Sequence, residues 1–431
     1  MHLVIVTSGS RGDVQPYLAL ALRAVQAGHT VTLATHAPFE SWVTSHGIGF
    51  RALHGDPVAM LSTPAASAWL RAGSLHGLRQ FALEFRRDFR ELSEGMLRDL
   101  TTITADADLV VYGMVCMAAA QLHESRGTPV VAGYLAPLTA TTNFPMPALS
   151  YREPDSWVDR RVNKLSHTIA QQMLWQPSRR IVNRWRVNDL HLAPLPLRGP
   201  FAAQQSASYP ICYAYSPSVL PRPADWPQWV GPTGWWYLDE PSYQPPAALT
   251  SFLAAGDHPV TIGFGSMTPR DGEWLTHIVL GACERAECRV VLLKGWGSLG
   301  ETSLPSWAHV ETDIPHSFLY SRSNAVVHHG GAGSTGAGVR SGVPGMVVPL
   351  GFDQQFWGSR LHAVGVAPAP IKRRDLTIDN LAKALRTMRD DTHMRDSAAA
   401  LGVAVRAEDG TGVALARIEA HLAAARQCGV P

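Results

Sequence analysis

The stretch Ala325-Val-Val-His-His-Gly-Gly-Ala-Gly-Ser-Thr335, followed by Gly342-Val-Pro-Gly-Met-Val-Val-Pro349, indicates a strand, a glycine-rich loop, a helix, a tight turn and a second strand. The glycines let the backbone turn sharply because they carry no Cβ atom. Ser334 and Thr335 are favourable N-cap residues for the helix. A helix N-terminus presents unpaired N–H groups and a partial positive charge, so we predict that this loop holds a phosphate or diphosphate. A plain strand-to-helix turn is the alternative.

Length and composition indicate a globular protein of two domains. The 431 residues are too many for one ordinary core, and 46% of them are apolar while 17% are charged. A net charge of +2 gives no overall field that would attract nucleic acid. Five cysteines without a C-x-x-C pair argue against a disulfide framework or a structural zinc. No apolar run is long enough for a signal peptide or a membrane span, so we expect a cytoplasmic protein.

Strand and helix patterns alternate in two separate parts of the chain. The first runs from residue 1 to about 135 and closes with a strand at 211–216, and the second restarts near residue 259. Between them, residues 217–246 are rich in proline and tryptophan, which is typical of a semi-rigid connector. We predict an α/β fold with two doubly wound Rossmann-like domains, 1–216 and 247–431, facing across a cleft. The last helix is a candidate to cross back to the first domain.

A long basic helix is predicted between about residues 159 and 189, interrupted near Pro177. It mixes apolar side chains such as Leu165 and Ile169 with several arginines, including Arg179 and Arg180. A basic amphipathic helix can lie on an anionic membrane surface. The alternative, which we favour from the sequence, is a surface helix that packs on the first domain.

Polar side chains follow several predicted strands, where ligands of open α/β sheets bind. They are Asp13, Ser266, His329 and the pair Asp353-Gln354. Together they suggest a base in the first domain facing a diphosphate site and a hydroxyl-binding acid and amide in the second. Each has a plainer interpretation: Asp13 can cap a helix, for example, and the adjacent histidines can be mistaken for a metal site. We expect no metal, because neighbouring side chains on a strand point in opposite directions.

These residues lie in motifs that resemble a known family. The motifs are Gly9-Ser-Arg-Gly-Asp-Val-Gln-Pro16, Gly263-Phe-Gly-Ser-Met267, Ile314-Pro-His316, His328-His-Gly-Gly-Ala-Gly-Ser-Thr335, Gly342-Val-Pro344 and Asp353-Gln354. They resemble the nucleotide-sugar-dependent glycosyltransferases of the GT-B fold, family 1 and its relatives. Asn183-Arg-Trp-Arg186 and Phe352-Asp-Gln-Gln-Phe-Trp357 are most similar to the sterol 3-β-glucosyltransferases, beside the antibiotic glycosyltransferases of actinomycetes.

The resemblance implies a donor site in the second domain. His329, Ser266 and the loop up to Thr335 would contact the diphosphate, Ile314 the base, and Asp353 with Gln354 the sugar. The implied donor-binding residues are Ser266, Trp296, Ile314, His329, Gly331, Ala332, Gly333, Ser334, Thr335, Asp353 and Gln354. Plant members carry a glutamate for the ribose hydroxyls where this chain has Ala337, so UDP-glucose and a dTDP-sugar both stay open as co-substrates.

The resemblance also implies an inverting displacement with Asp13 as the base, without metal or cofactor. The acceptor would be an apolar small molecule such as a sterol or polyketide, which the aromatic and proline-rich segment 137–200 suits. The acceptor-binding residues we predict are Phe81, Phe85, Phe144 and Met146. Three alternatives stay open: a dTDP-deoxysugar-dependent antibiotic glycosyltransferase, a non-catalytic nucleotide-sugar-binding activator, and a nicotinamide oxidoreductase, although no Gly-x-Gly-x-x-Gly follows the first strand.

Overall fold

The computed structural model of the protein describes residues 1–55, 75–201, 209–240, 243–264, 272–293, 304–312 and 314–427, and side chains within residues 75–88 are not described. Its strands are β1 (His2–Val6), β2 (Thr30–His36), β3 (Gly49–Leu53), β4 (Leu109–Tyr112), β5 (Val130–Tyr134), β6 (Ile211–Tyr213), β7 (Val230–Pro232), β8 (Val260–Gly263), β9 (Val290–Leu293), β10 (Ala308–Glu311), β11 (Ala325–His328) and β12 (Gly345–Val347).

The α-helices alternate with these strands over most of the chain. They are α1 (Arg11–Gln26), α2 (Glu40–Ser45), α3 (Leu75–Ile103), α4 (Gln121–Arg126), α5 (Trp157–Asn188), α6 (Ala247–Ala254), α7 (Gly272–Ala286), α8 (His316–Tyr320), α9 (Ala332–Ser341), α10 (Gln354–Ala363), α11 (Ile378–Asp390), α12 (Thr392–Arg406) and α13 (Gly410–Gln427). Among the described helices, none combines the length and the apolar character needed to cross a bilayer.

The strands form two parallel sheets, which confirms the predicted fold class. The first sheet has the order β3-β2-β1-β4-β5-β6-β7 and the second the order β10-β9-β8-β11-β12. Central strands are buried on both faces, as parallel strands covered by helices must be, and Leu3, Val4, Ile5 and Val6 are fully buried. In each sheet the strand order reverses beside the first strand, between β1 and β4 and between β8 and β11. Loops at such switch points are where ligands bind in this class of fold.

The segment predicted as a connector takes part in both domains. Val230–Pro232 pairs with β6, so 211–216 is not the last strand of the first sheet as expected. Farther along, the Tyr237 hydroxyl donates to the Gly336 carbonyl at 2.9 Å, and Arg340 of α9 pairs with Asp239 through two hydrogen bonds. The connector therefore packs on α9, the helix that follows the glycine-rich loop.

Helix α13 lies on the first domain. Its Ala414, Leu415, Ile418 and Leu422 are buried in the same apolar cluster as residues of β1 and α1. Ion pairs fix its flanks, including one of 2.8 Å between the His29 imidazole and the Glu419 carboxylate. The chain thus crosses between the domains twice, once through the connector and once before α13.

Candidate active site

Asp13 lies at the N-terminus of α1, at the switch point of the first sheet. The helix begins at Arg11, so Asp13 is its third residue rather than a loop residue as expected. Ser10 is the N-cap residue, and its backbone N–H and hydroxyl donate to Asp13 Oδ2 at 2.8 and 2.9 Å. Gly9 has φ of +141°, and a Cβ there would lie 2.3 Å from Asp13 Oδ2, so the turn requires glycine.

This position shapes the acidity of Asp13. Burial raises the pKa of its carboxyl group, and the two hydrogen bonds from Ser10 oppose that effect. Within the described residues both hydrogen bonds reach Oδ2, which leaves Oδ1 as an acceptor without a protein donor. A carboxylate with a raised pKa and one free oxygen is a stronger base than a solvated one.

The glycine-rich loop follows β11, at the switch point of the second sheet. Gly331 is the N-cap residue of α9, so Ser334 and Thr335 are not caps as expected but lie in the first turn of the helix, after Ala332 and Gly333. Gly330 has φ of +92°, and its N–H donates to His328 Nδ1 at 3.0 Å. The loop therefore presents the N-terminal turn of a ten-residue helix with no side-chain cap.

His329 points away from His328 and carries an unsatisfied polar atom. Its Nδ1 is buried and has no hydrogen-bond partner among the described residues. Burial lowers the pKa of His329 to about 4, so the ring is neutral at pH 7. A buried imidazole nitrogen without a partner among these residues is a candidate contact for a ligand.

Asp353 and Gln354 lie where α10 begins, after β12. The Trp357 indole donates to Asp353 Oδ2 at 2.8 Å, and the Leu350 N–H donates to Gln354 Oε1 at 2.7 Å. Phe352, the residue before Asp353, is in the left-handed region with φ of +54° and is 79% exposed. Strained residues of this kind are concentrated at functional sites.

Electrostatic coupling joins these groups across the two domains. Burial raises the pKa of Asp353 to about 6, the Trp357 hydrogen bond opposes this, and the negative charge of Asp13 raises it further. Burial lowers the pKa of His316 to about 4, and the neighbouring His329 and Arg11 lower it further. Charges of the first domain, at Asp13 and Arg11, therefore act on Asp353 and His316 of the second. Nowhere in the described ranges do three or more His, Cys, Asp or Glu side chains gather as a metal site requires.

Two family models match the two domains. Residues 3–145 match the glycosyltransferase family 28 N-terminal domain, and residues 280–412 match the erythromycin biosynthesis protein CIII-like C-terminal domain. The N-terminal domain of the chain therefore belongs to a glycosyltransferase family. A sterol 3-beta-glucosyltransferase of Arabidopsis thaliana is 34% identical over 99% of this chain and 66% of its own length. One of Emericella nidulans is 34% identical over 97% of this chain and 30% of its own length. The chain thus spans less than two thirds of these curated relatives.

Solved structures share this GT-B fold over nearly the whole chain. The glycotransferase of kitacinnamycin has a TM-score of 0.70 at 21% identity, covering 97% of this chain and 98% of its own. SnogD from Streptomyces nogalater has a TM-score of 0.65 at 21% identity, covering 98% and 99%. VinC, solved in complex with dTDP, has a TM-score of 0.64 at 17% identity over the same shares. At these identities the likeness shows the fold.

The other predicted donor residues are Ile314, Ser266 and Trp296. Ile314 is buried in a cluster with Leu319 and Val326, so only its backbone is free to meet a nucleobase. Ser266 and Trp296 lie outside the described residues. Ala337 packs on the same cluster as Ile314.

An apolar cavity opens in the first domain, beside the carboxyl ends of β4 and β5. It holds about 540 Å³ of space including its open mouth. Its lining residues are Met117, Tyr134, Leu138, Thr139, Met146, Pro147, His167, Ala170, Gln171, Leu174, Phe201 and Ile211. Met146 lines this cavity, and its role as an acceptor contact stays a prediction. Phe144 is only 2% exposed and packs against Phe356 across the domain junction, and the side chains of Phe81 and Phe85 are not described.

Sequence reasoning missed the residues that hold α10 in place. Phe356 and Trp357 are completely buried, and Trp357 packs on Tyr215 of the first domain. The Arg360 guanidinium donates to the Val219 carbonyl at 2.7 Å and to the Tyr151 hydroxyl at 2.8 Å. The spacing of four between Phe356 and Arg360 places both on one face, which is the available signal. These contacts fix the helix that carries Asp353 and Gln354 against the first domain.

Proposed function

We propose that this GT-B chain is an inverting glycosyltransferase that moves a hexose from a nucleotide-diphosphate sugar to a hydroxyl of an apolar small molecule. One observation carries the proposal: the Nδ1 of His329, buried and without a partner among the described residues, lies just before the uncapped N-terminus of α9, in a chain whose first domain matches a glycosyltransferase family. We propose that Asp13 and Asp353, one from each domain, lie on either side of the anomeric carbon of the sugar. The relatives named as sterol 3-beta-glucosyltransferases support the class of reaction.

The diphosphate is proposed to lie on the loop between β11 and α9. The uncapped N–H groups of the first turn of α9 and the helix dipole favour an anion there. A neutral His329 carries one N–H that can donate to a phosphate oxygen, which its buried and unpartnered Nδ1 suits. These donors stabilise the charge that develops on the leaving diphosphate, and no step of the transfer needs a metal.

The sugar is proposed to be held by Asp353 and Gln354. With its Oδ2 fixed by Trp357, Asp353 offers an acceptor in a defined position. The carbonyl oxygen of Gln354 already accepts the N–H groups of Leu350 and Gly351, so its NH2 group is the part that donates to a sugar hydroxyl. Glucose from UDP-glucose is the donor we propose first, and a dTDP-sugar is the second candidate, which the dTDP complex of VinC supports.

Asp13 is proposed as the general base. As the acceptor oxygen bonds to the anomeric carbon, its proton passes to Asp13, and the bond from that carbon to the diphosphate breaks with its electron pair. The carbon is inverted because the two oxygens occupy opposite faces. The cavity that Met146 lines is proposed to contact the acceptor, since its walls are largely apolar and it opens to the surface.

A screen for single-component turnover tests the proposal. Purified protein is incubated with UDP-glucose, UDP-galactose and dTDP-glucose against sterol, polyketide and flavonoid acceptors, and products are measured by mass spectrometry. Asp13→Asn is expected to reduce turnover about 10³-fold or more while donor affinity stays nearly unchanged. The matched control is Asp106→Asn, because the Asp106 carboxylate is 77% exposed beside His2 at the opposite end of β1.

Three results would contradict parts of the proposal. If Asp13→Asn and the control have equal turnover, Asp13 has only a structural role, as the partner of Ser10 in the capping box of α1. Products only on peptides or water-soluble sugars would refute the apolar acceptor. Nucleotide-sugar binding without turnover on any acceptor would favour the non-catalytic activator instead.

A further inference from the structure

Helix α5 presents an apolar stripe to solvent. Val158, Val162, Leu165, Ile169 and Met173 are 49, 48, 57, 52 and 72% exposed. Their spacing of four, three, four and four places them on one face of the helix. Contiguous exposed apolar surface of this kind marks an interaction site more often than isolated surface residues do.

The opposite face of α5 anchors the helix to the first domain. Asn163, His167, Ala170 and Trp175 are buried there. The Asn163 amide donates to the Thr142 carbonyl at 3.1 Å, and the Trp175 indole donates to the Leu197 carbonyl at 3.0 Å. The helix therefore packs on the domain, as favoured from the sequence, yet the stripe is not the face it uses for packing.

Neighbouring side chains extend the stripe into a patch. Trp157 at the start of α5, Leu149 before it and Leu197 after it are 67, 50 and 62% exposed. We call the five stripe residues with these three the α5 patch. Elsewhere among the described residues, exposed large apolar side chains do not follow one helix face in this way.

The charge on α5 selects the partner. The helix carries seven lysines and arginines, of which Arg184 and the buried Arg186 pair with glutamates of the first domain. It carries a single acidic residue, Asp159, which pairs with Arg152 at 3.0 Å. Arg160, Arg161 and Lys164 are exposed between the stripe positions. An amphipathic helix with cations beside its apolar face suits a bilayer surface that contains anionic lipids, because the negative surface potential attracts the cations.

We propose that the α5 patch docks this protein on the surface of a bilayer that contains anionic lipids. The apolar cavity of the first domain lies beneath the same helix, and Ala170, Gln171 and Leu174 of α5 line it. Leu174 is also 49% exposed, so it belongs both to the cavity wall and to the outer surface. Docking would thus hold the cavity close to a membrane-embedded apolar acceptor, and this last step rests on the proposed function.

Vesicle flotation with the full chain tests the docking surface. The probes are phosphatidylcholine vesicles and vesicles with 3:1 phosphatidylcholine to phosphatidylglycerol, a ratio of about 25% anionic lipid chosen to give a clear surface potential. We expect binding to the anionic vesicles, weaker binding to neutral ones, and a decrease with salt. The combined change Leu165→Gln, Ile169→Gln and Met173→Gln is expected to weaken binding about tenfold or more. These side chains are mostly exposed, so the fold is retained.

A matched triple variant and a soluble acceptor keep the test specific. Val25→Gln, Val403→Gln and Val413→Gln change three other exposed apolar residues, which are 40, 62 and 43% exposed, and should bind vesicles like the wild type. The stripe variant should lose turnover on an acceptor embedded in vesicles and keep it on a water-soluble one. Vesicle binding by the stripe variant equal to that of the wild type overturns the proposal. The proposal is also overturned if the wild-type protein is a dimer in solution and the three stripe substitutions dissociate it. Binding of the wild-type protein to anionic vesicles without turnover on any acceptor would contradict the proposed function and not the docking proposal.

Discussion

Replacing Asp353 by asparagine is expected to stabilise the ligand-free protein at neutral pH. Burial raises the pKa of this carboxyl from 3.8 to about 6, so above pH 6 the folded chain holds a charge that the unfolded chain holds more easily. A pKa difference of this size corresponds to about 3 kcal/mol of lost stability. Asparagine removes the charge and keeps an oxygen to accept the Trp357 indole, which now donates to Asp353 Oδ2 at 2.8 Å.

The gain in stability expected from Asp353→Asn depends on pH, and the upward shift of the Asp353 pKa determines its direction. Because the folded-state pKa lies above the unfolded one, the stability from this carboxyl is fully present below about pH 3.8 and is lost as the pH rises through about 6. The asparagine variant has no such loss, so its advantage is small near pH 4 and complete above pH 7. At about 2–4 °C per kcal/mol for a domain of this size, its Tm at pH 7.5 should be about 6 °C higher.

Scanning calorimetry at pH 4.5, 6.0 and 7.5 measures this difference. Asp108→Asn is the control with the opposite sign, because the His2 backbone N–H donates to the Asp108 carboxylate at 2.6 Å and lowers its pKa. That variant should lose stability at neutral pH. A Tm difference for Asp353→Asn that does not change with pH, or that is negative throughout, would refute the electrostatic argument. Titration calorimetry should show weaker binding of the nucleotide sugar and unchanged binding of the free nucleotide diphosphate.

Three further predictions concern the pH profile and the domain junction. The kcat/KM should fall as the pH drops below about 6, where Asp353 gains a proton, and Asp353→Asn should remove that limb of a profile measured from pH 5 to 8. Gly336→Ala should destabilise the protein by about 1–3 kcal/mol in urea unfolding, since its Cβ would lie 2.9 Å from the Trp235 ring; Gly333→Ala, whose Cβ meets nothing within 4 Å, should not. Arg360→Met should lower the free energy of unfolding by about 2–4 kcal/mol, because it leaves the Val219 carbonyl without its hydrogen bond. Tyr151→Phe should lower it by less, and equal losses for the two variants would contradict this prediction.

Local signals in the sequence were enough for the fold class and for the loop after β11. Apolar runs alternate with glycine-rich turns along the chain. This pattern is enough to predict parallel strands that are buried on both faces. Helix ends were predicted less well. Ser10 and Asp13 form a capping box, a signal readable three residues apart, but Asp13 was assigned to a loop. Gly331 took the cap position expected of Ser334 because glycine also adopts the extended backbone that an N-cap residue requires.

Contacts between distant parts of the chain could not be predicted from local patterns. The short strand Val230–Pro232 lies within a run of prolines and tryptophans and is defined only by its pairing with β6. Phe356 and Trp357 are apolar in a motif whose polar members face the cleft, and their partners lie in the first domain more than a hundred residues away. The effect of the Asp13 charge on the pKa of Asp353 is likewise a property of the assembled domains.

The position of α13 has a consequence for how the protein is made. The apolar cluster beneath β1 and α1 is completed by four residues of α13, Ala414, Leu415, Ile418 and Leu422. The N-terminal domain is synthesised first, but its core is therefore complete only after α13 has been made. While the ribosome adds the second domain, the first one exposes the surface that these four side chains will cover, and such surface is prone to aggregation. Any exchange of domains between relatives should therefore move residues 410–427 together with the N-terminal half, because that helix is part of its core.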